Sequence, residues 1–376
     1  MMVCAVALVL FASACSTSTS GGAQGEPSGS GAPSSVTSTS QGGPASGGRP
    51  ETTPPLMGLT PFPSAPSSLA VETAFRLAAE EGSLIAHHFD RGIPWEALLT
   101  GDPLPANFAE ELRSRRAASA GQSVYVATAI SNVARDGIPE GLDGAPRPAA
   151  LIDAGPASPE VERALTAWID TLVAELDPDF LNVGVEIDLV AAKDPEAADD
   201  WLELYRRLYR HAKATYPDVT VFASFQAELG DPAVAGELAD STDLIAVSTY
   251  PYLGGDLAPP AADYLDRFSG LGPQVAIAET GFPAGVAATP AGELFSSPRA
   301  QAEYLDWLLA DACRSDMAFV VWFLPTDIDI GAWGYPPDAA AIAAVFASNG
   351  LYDANGSPRP ASRIWEQTLL SGCPRG

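Results

Sequence analysis

The sequence contains few of the residues from which metal and cofactor sites are built. It has three histidines and four cysteines in 376 residues, and no Cys/His cluster has the spacing of a metal site. Neither a G-x-G-x-x-G motif nor a P-loop is present, so the glycine-rich phosphate turn of a nucleotide-binding sheet is lacking. We therefore expect neither a metal nor a cofactor.

Positive charge is also scarce. Lysine occurs only at Lys193 and Lys213, and the formal net charge is −27 at pH 7. Such a surface repels the phosphates of nucleic acids and the head groups of anionic lipids. We therefore exclude nucleic acid as a partner. Separately, we expect a monomer.

The N-terminal apolar run is too short to span a membrane. Residues 1–14 (MMVCAVALVLFASA) are typical of a signal peptide. The segment Ala12-Ser13-Ala14-Cys15 resembles a bacterial lipobox, in which Cys15 becomes the lipidated first residue. The alternative is cleavage after the A-x-A site and secretion. Both predict an extracytoplasmic protein, and the first adds a membrane anchor at Cys15.

The remaining chain divides by composition. Residues 15–55 are dominated by Ser, Gly, Pro and Thr, which predicts a flexible, disordered tether. Residues 56–376 are long enough for a single large α/β domain. This domain contains Cys313 and Cys373, an even pair that favours a disulfide pinning the C-terminal tail in an exported protein. The alternative is two unrelated thiols.

Strand patterns alternate with helical patterns along this domain. The strand patterns cover residues 56–62, 83–90, 122–131, 180–188, 220–228, 243–252, 274–279 and 318–324. Eight strands separated by helices predict a single (β/α)8 TIM barrel. A doubly wound open sheet is the competing arrangement.

Two of the predicted strands carry a glutamate in an apolar run. In FLNVGVEIDL (180–189), alternation places Val185 on the outer face and Glu186 on the inner face. QVAIAETGFP (274–283) carries Glu279 at the end of its strand. Because active sites of such barrels lie at the C-terminal ends of the strands, we expect Glu186 and Glu279 to face each other across one pocket.

A facing pair of buried carboxyl groups suits the hydrolysis of a glycosidic bond. One group, kept protonated by the charge of its neighbour, donates a proton to the leaving oxygen, and the ionised group attacks or stabilises the cationic sugar. The alternative is that each glutamate is a salt-bridged carboxylate at the barrel mouth. We favour the catalytic pair.

These segments resemble the clan A glycoside hydrolases, which are retaining (β/α)8 enzymes. VGVEI (183–187) is similar to the VGNEI strand of the family 53 endo-β-1,4-galactanases, and STYPY (248–252) is similar to their sixth-strand tyrosine segment. AETGFP (278–283) resembles the ETGWP segment of the family 17 β-1,3-glucanases. The resemblance covers about residues 55–370 and implies a two-glutamate, double-displacement hydrolase of a β-linked poly- or oligosaccharide.

The resemblance assigns roles by position. It implies that Glu186 is the general acid/base and Glu279 the nucleophile, that Tyr250 hydrogen-bonds the nucleophile, and that Trp322 stacks beneath the sugar. The remaining candidates for substrate binding are polar residues at other strand ends, namely His88, Asp90, Gln226 and Asn132.

One position departs from the pattern of the clan. An asparagine that contacts the sugar 2-hydroxyl usually precedes the acid/base, and here that position is Val185. Loss of this hydrogen bond removes stabilisation of the transition state. The chain is therefore either a divergent enzyme or a glycosidase-like domain that only binds carbohydrate.

Two questions stay open at the second and eighth strands. His87 and His88 alternate in direction, so only one can point inward. A metal-dependent hydrolase that uses His88, Asp90 and Glu186 is a third hypothesis, which a metal bound after purification would support. Trp95 and Trp333 fall in loops and are either sugar platforms or loop anchors.

Overall fold

The structure is a computed structural model that describes residues 54–289 and 292–373. The predicted signal peptide, Cys15 and nearly all of the predicted tether lie outside these residues. Within them, no helix is both long and apolar enough to cross a membrane.

Eight parallel strands close into a barrel, which confirms the predicted (β/α)8 architecture and excludes the open sheet. The strands of the described residues are β1 (Leu56–Leu59), β2 (Leu84–Phe89), β3 (Ser123–Thr128), β4 (Phe180–Gly184), β5 (Thr220–Gln226), β6 (Leu244–Thr249), β7 (Gln274–Thr280), β8 (Val286–Thr289), β9 (Gly292–Phe295) and β10 (Phe319–Trp322). The barrel order is β1-β10-β7-β6-β5-β4-β3-β2, and β8 and β9 form a separate antiparallel pair. This pair was not predicted, and the eighth predicted strand corresponds to β10.

Helices surround the barrel. They are α1 (Ser68–Glu80), α2 (Trp95–Thr100), α3 (Ala106–Ala118), α4 (Pro159–Leu176), α5 (Ile187–Lys193), α6 (Ala198–Thr215), α7 (Pro232–Leu238), α8 (Pro298–Arg314), α9 (Ile330–Trp333), α10 (Pro337–Phe346) and α11 (Pro360–Ser371). Short 3₁₀ turns lie at Leu142–Gly144, Ala149–Leu151, Ala239–Ser241 and Pro251–Gly254.

The barrel interior is filled by complementary large and small side chains. The rings of Tyr125, Phe222 and Phe319 pack together there, with centroids 5.5–5.9 Å apart. Small residues such as Ala246 and Ala276, on β6 and β7, leave room for these rings. Because the lumen is packed, the site must lie above it, at the C-terminal ends of the strands.

The predicted disulfide is present. Cys313, near the end of α8, is bonded to Cys373, which follows α11, with a Cα–Cα distance of 5.6 Å. It closes a loop of 60 residues in sequence separation and fixes the C-terminal segment against the barrel.

The end of β4 differs from the sequence-based prediction. The strand ends at Gly184 instead of continuing to residue 188, and its register with β5 shifts between Asn182 and Gly184. Val185, expected on the outer face, packs against the interior cluster because this irregularity breaks the alternation. Glu186 therefore lies beyond the strand, immediately before α5.

Candidate active site

Glu186 lies in an unusual backbone conformation. Its φ and ψ angles are 48° and 50°, in the left-handed region, where non-glycine residues pay about 1–3 kcal/mol. Its backbone N–H donates to Ser224 Oγ on β5 over 3.0 Å, which holds this conformation. Strain of this kind at a buried acid is typical of functional sites.

A buried arginine pairs with Glu186. Arg135 Nη2 donates to Glu186 Oε2 over 3.0 Å, and the two side chains are 4% and 3% exposed. Burial raises the pKa of Glu186, and the positive charge of Arg135 opposes this rise. Arg135 was not predicted as a site residue, because it follows β3 in a segment without strand or helix periodicity.

Residues 132–137 form the tight turn that delivers this arginine. The N–H of Asn132 donates to the carbonyl of Gly137 over 2.7 Å, and Arg135 has a φ of 60°. The Asn132 side chain donates to Asp136 Oδ1 and accepts from its N–H, at 2.8 and 3.1 Å. Asn132 thus braces the turn, and its direct contact with substrate stays a prediction.

Glu279 lies within β7 and has only neutral groups as its direct partners among the described contacts. Tyr250 Oη donates to Glu279 Oε2 over 3.4 Å, as the resemblance implied, and His88 Nδ1 lies 3.5 Å from Oε1. Burial raises the pKa of Glu279 well above its usual range, and the charge of Glu186 raises it further. The two carboxyl groups are therefore electrostatically coupled.

His88, rather than His87, points into the site. Its ring packs edge-on against Tyr125 and Phe323, and burial together with Arg115 lowers its pKa to about 3, so that it is neutral. His87 points outward, with Nε2 2.7 Å from Ser119 Oγ.

Asp90, which follows β2, belongs to the same group of buried side chains as Glu279. Burial raises its pKa to about 6, although the charges of Arg115, Arg91 and Arg135 oppose the rise. The charge of Asp90 contributes in turn to the raised pKa of Glu279. Its Oδ1 is buried and has no hydrogen-bond partner in the described part of the chain.

Gln226, at the end of β5, is linked to the site through Glu228. Its Nε2 donates to Glu228 Oε2 over 2.7 Å, and its Oε1 accepts from the backbone of Glu228 and Leu229. Glu228 Oε1 in turn accepts from the N–H of Tyr250 over 2.9 Å. Both ends of the amide make hydrogen bonds within the chain, so Gln226 supports Tyr250 indirectly through Glu228, and its direct contact with substrate stays a prediction.

Trp322 does not lie beneath the cleft. Alternation along β10 places Phe319 and Val321 in the barrel interior and Trp322 in the layer between strands and helices. The indole is fully buried, and its Nε1 donates to the carbonyl of Asn349 over 2.9 Å. This placement corrects the expectation that Trp322 stacks on the sugar.

The two loop tryptophans differ from each other. Trp95 is buried and donates from Nε1 to the Pro139 carbonyl over 3.1 Å, so it anchors a loop. The half-buried ring of Trp333 stacks on Tyr335, with centroids 5.4 Å apart. Burial raises the pKa of Tyr335, and the charge of Asp90 raises it further. An aromatic pair therefore lies near Asp90, where a sugar ring could stack.

Among residues 54–289 and 292–373, no group of three or more His, Cys, Asp and Glu side chains is arranged to hold a metal ion. His88, Asp90 and Glu186 therefore do not form such a group.

Solved structures with the same fold include several glycoside hydrolases. An exo-β-1,4-mannosidase from Opitutaceae bacterium strain TAV5 has a TM-score of 0.60 at 15% identity, over 85% of this chain and 59% of its own length. A GH5_18 variant from Streptomyces cattleya in complex with Manβ1-4GlcNAc has a TM-score of 0.60 at 17% identity, over 85% and 82%. Xylanase 10B from Thermotoga maritima has a TM-score of 0.57 at 15% identity, over 84% and 94%.

At these identities the likeness establishes the fold. This chain spans 59% of the length of the mannosidase but more than four fifths of the other two proteins. No family model and no curated protein matches the sequence.

Proposed function

Because the chain has the (β/α)8 fold of these glycoside hydrolases, we propose that it is a retaining hydrolase of β-linked poly- or oligosaccharides. Glu279 attacks the anomeric carbon, and Glu186 donates a proton to the leaving oxygen. A water molecule, deprotonated by Glu186, then releases the sugar from Glu279. Tyr250 and His88 orient the nucleophile from the two sides at which they contact it.

One observation carries this proposal. Two buried carboxyl groups, at the ends of β4 and β7, are close enough that the charge of Glu186 raises the pKa of Glu279. Such a pair holds a single proton over a wide pH range, and one acid with one carboxylate is the state that this reaction requires.

The test is a hydrolysis screen on β-galactan, β-1,3-glucan, β-mannan, xylan and aryl β-glycosides. Activity on at least one substrate is expected, and Glu186→Gln and Glu279→Ala should each abolish hydrolysis of the polysaccharide. Glu140→Gln, at an exposed glutamate that lies after β3, is the matched control and should retain activity. Retention of activity in both active-site variants would refute the assignment.

A non-catalytic carbohydrate-binding domain is the second candidate. The Arg135–Glu186 ion pair favours it, because a guanidinium beside the acid/base opposes protonation of that residue. Val185, at the position of the usual asparagine, points the same way. Binding of oligosaccharide by a protein that hydrolyses none of the substrates would support this candidate.

We also propose that the protein is exported and anchored through a lipid at Cys15. The lipobox-like segment and the Ser/Gly/Pro-rich stretch after it support this proposal. Metabolic labelling with a fatty acid in a bacterial host should mark the wild-type chain and not Cys15→Ser. Unlabelled protein in the medium would instead support cleavage and secretion.

A further inference from the structure

The ion pair between Arg135 and Glu186 conflicts with the role of Glu186 as a proton donor. A donor must carry its proton when substrate is bound, whereas a buried guanidinium 3.0 Å away stabilises the ionised form. Breaking such a pair without a replacement leaves an uncompensated buried charge. An anion that takes the place of Glu186 at Arg135 would remove this opposition and favour the protonated Glu186 that the reaction needs.

Arg135 has the capacity for another partner. Its Nη2 donates to Glu186, whereas its buried Nε has no hydrogen-bond partner within residues 54–289 and 292–373. The Nε–H and Nη–H groups of a guanidinium lie side by side and match the two oxygens of a carboxylate. Because an unpaired buried N–H is unfavourable, a ligand that reaches it gains affinity.

The guanidinium also lies where a substrate would bind. Its charge acts on Asp90, Glu186 and Glu279, the carboxyl groups at the ends of β2, β4 and β7. The charge of Arg115 also acts on Asp90, and on the inward His88, but Arg115 donates from Nε and Nη2 to Glu111 Oε1 at 2.9 and 2.7 Å. Arg135 is thus the cation best placed to meet a ligand in this cleft.

We propose that Arg135 binds the carboxylate of an acidic sugar, so that the β-linked substrate contains a uronic acid, and that this binding releases Glu186 from its ion pair. The proposal rests on the hydrolase function and names its substrate class. The carboxylate of the sugar then neutralises the buried charge of Arg135 in place of Glu186. The proton that Glu279 holds in the resting site then passes to Glu186, which leaves Glu279 ionised.

The reaction that follows balances without any further reagent. The Glu279 carboxylate forms a bond to the anomeric carbon as the bond to the leaving oxygen breaks, and that oxygen takes the proton of Glu186. Water then attacks the anomeric carbon and releases Glu279, while its proton returns to Glu186. The net charge of −27 does not prevent entry of an acidic sugar, because charges more than about 8 Å away are largely screened at physiological ionic strength.

The first experiment measures binding by calorimetry with the methyl β-glycosides of glucuronic, galacturonic and mannuronic acid, each beside its neutral parent sugar. The wild type should bind at least one uronide about tenfold more tightly than its parent, and Arg135→Met should lose this difference. Arg147→Met removes a different arginine that lies after β3 and pairs with Glu140, and it should retain the difference.

Glu186→Gln distinguishes a ligand-binding Arg135 from an Arg135 that only stabilises the fold. Because this variant removes the carboxylate that competes for Arg135, its affinity for the uronide should rise about tenfold, with no change for the neutral sugar. Glu279→Gln should show no such increase. If Arg135→Met fails to fold, two other variants still test the uronate site. These are Glu186→Gln and Arg135→Lys, which keeps the positive charge but lacks the paired N–H groups of the guanidinium.

The second experiment compares hydrolysis of 4-nitrophenyl β-uronides with that of the neutral β-glycosides. A higher kcat/KM for a uronide, lost in Arg135→Met, supports the proposal. Hydrolysis of neutral sugars alone overturns the uronate site but leaves the hydrolase function standing. Tight binding of a uronide without any hydrolysis keeps the site and overturns the hydrolase, and binding of neither sugar overturns both.

Discussion

The ends of β4 and β7 each present a glutamate to the same cleft, yet their surroundings differ. Glu186 lies past the end of its strand in a left-handed conformation and pairs with Arg135. Glu279 lies within its strand, its side chain is 13% exposed, and its direct contacts are with Tyr250 and a neutral His88. Arg135, positioned by the 132–137 turn, thus favours the ionised form of Glu186 and leaves the proton on Glu279 in the resting site.

The largest expected effect separates the two glutamates by the kind of leaving group. Glu279→Gln should reduce hydrolysis of all β-glycosides by roughly 10³-fold or more, because no covalent intermediate can form. Glu186→Gln should lose comparably on natural linkages but far less on 2,4-dinitrophenyl glycosides, whose leaving group departs without a proton. Steady-state kcat/KM values on both substrates provide the measurement.

Glu140→Gln serves again as the control, because this glutamate is 58% exposed and pairs only with Arg147 among the described ion pairs. If kcat/KM of Glu186→Gln and of Glu279→Gln depends on the leaving group in the same way, the two glutamates do not have the separate roles that we propose.

The ion pair at the end of β4 should also dominate local stability. Arg135→Met leaves Glu186 buried without a cation and should lower the free energy of unfolding by about 3–5 kcal/mol. Arg147→Met, at the more exposed pair with Glu140, should change it by about 0–1 kcal/mol. Urea denaturation followed by circular dichroism measures both.

The double variant Arg135→Met/Glu186→Gln sharpens this test. It should recover part of the lost stability, because the uncompensated charge is gone. Additive losses instead would mean that the pair is not coupled.

The barrel and the carboxylate pair were accessible from sequence because they rest on local patterns. Alternation of apolar residues predicted the eight barrel strands, and Glu186 and Glu279 stood out as acids in apolar runs. The face occupied by Trp322 was misassigned. Its position was taken from the resemblance, whereas alternation along β10 places it in the outer layer.

The details that decide the chemistry depend on tertiary contacts. The shift of register at Gly184 ends β4 early and moves Val185 inward, and nothing periodic in the sequence marks it. Arg135 and Glu186 are 51 positions apart in the sequence. They meet because Arg135, within the 132–137 turn, adopts a left-handed backbone conformation. Such a contact leaves no signal in spacing or composition.

A second acid after β4, Asp188 in the first turn of α5, offers a smaller and pH-dependent test. Asp188 is buried and accepts from the N–H of Gln226 at 3.0 and 3.1 Å, and burial raises its pKa from 3.8 to about 8. Because the folded state binds this proton more tightly than the unfolded state, stability should fall as pH rises from about 4 to 8. The loss is at most about 1.4 kcal/mol per pH unit.

Asp188→Asn should make this decline shallower, whereas Asp240→Asn, at an exposed position, should leave it unchanged. The measurement is the free energy of unfolding from urea titrations at pH 4 to 8. Equal slopes in the wild type and Asp188→Asn would show that Asp188 is not held protonated, and the contrast between the two acids after β4 would then be lost.

The smallest expected effect lies at the end of β7, where one hydroxyl group contacts Glu279, the proposed nucleophile. Tyr250 donates to Glu279 over 3.4 Å, which lowers the pKa of that carboxyl against the effect of burial. Tyr250→Phe should therefore raise the pKa of Glu279, so that a higher pH is needed to ionise the nucleophile. The acid limb of the pH profile should move to higher pH, and kcat/KM at low pH should fall about three- to tenfold.

Tyr252→Phe is the matched control, because this hydroxyl accepts from Asn349 and donates to the carbonyl of Val345. It should cost stability and leave the acid limb in place. A shift of equal size in both variants would mean that packing, rather than the hydrogen bond to Glu279, sets the ionisation at this end of the cleft.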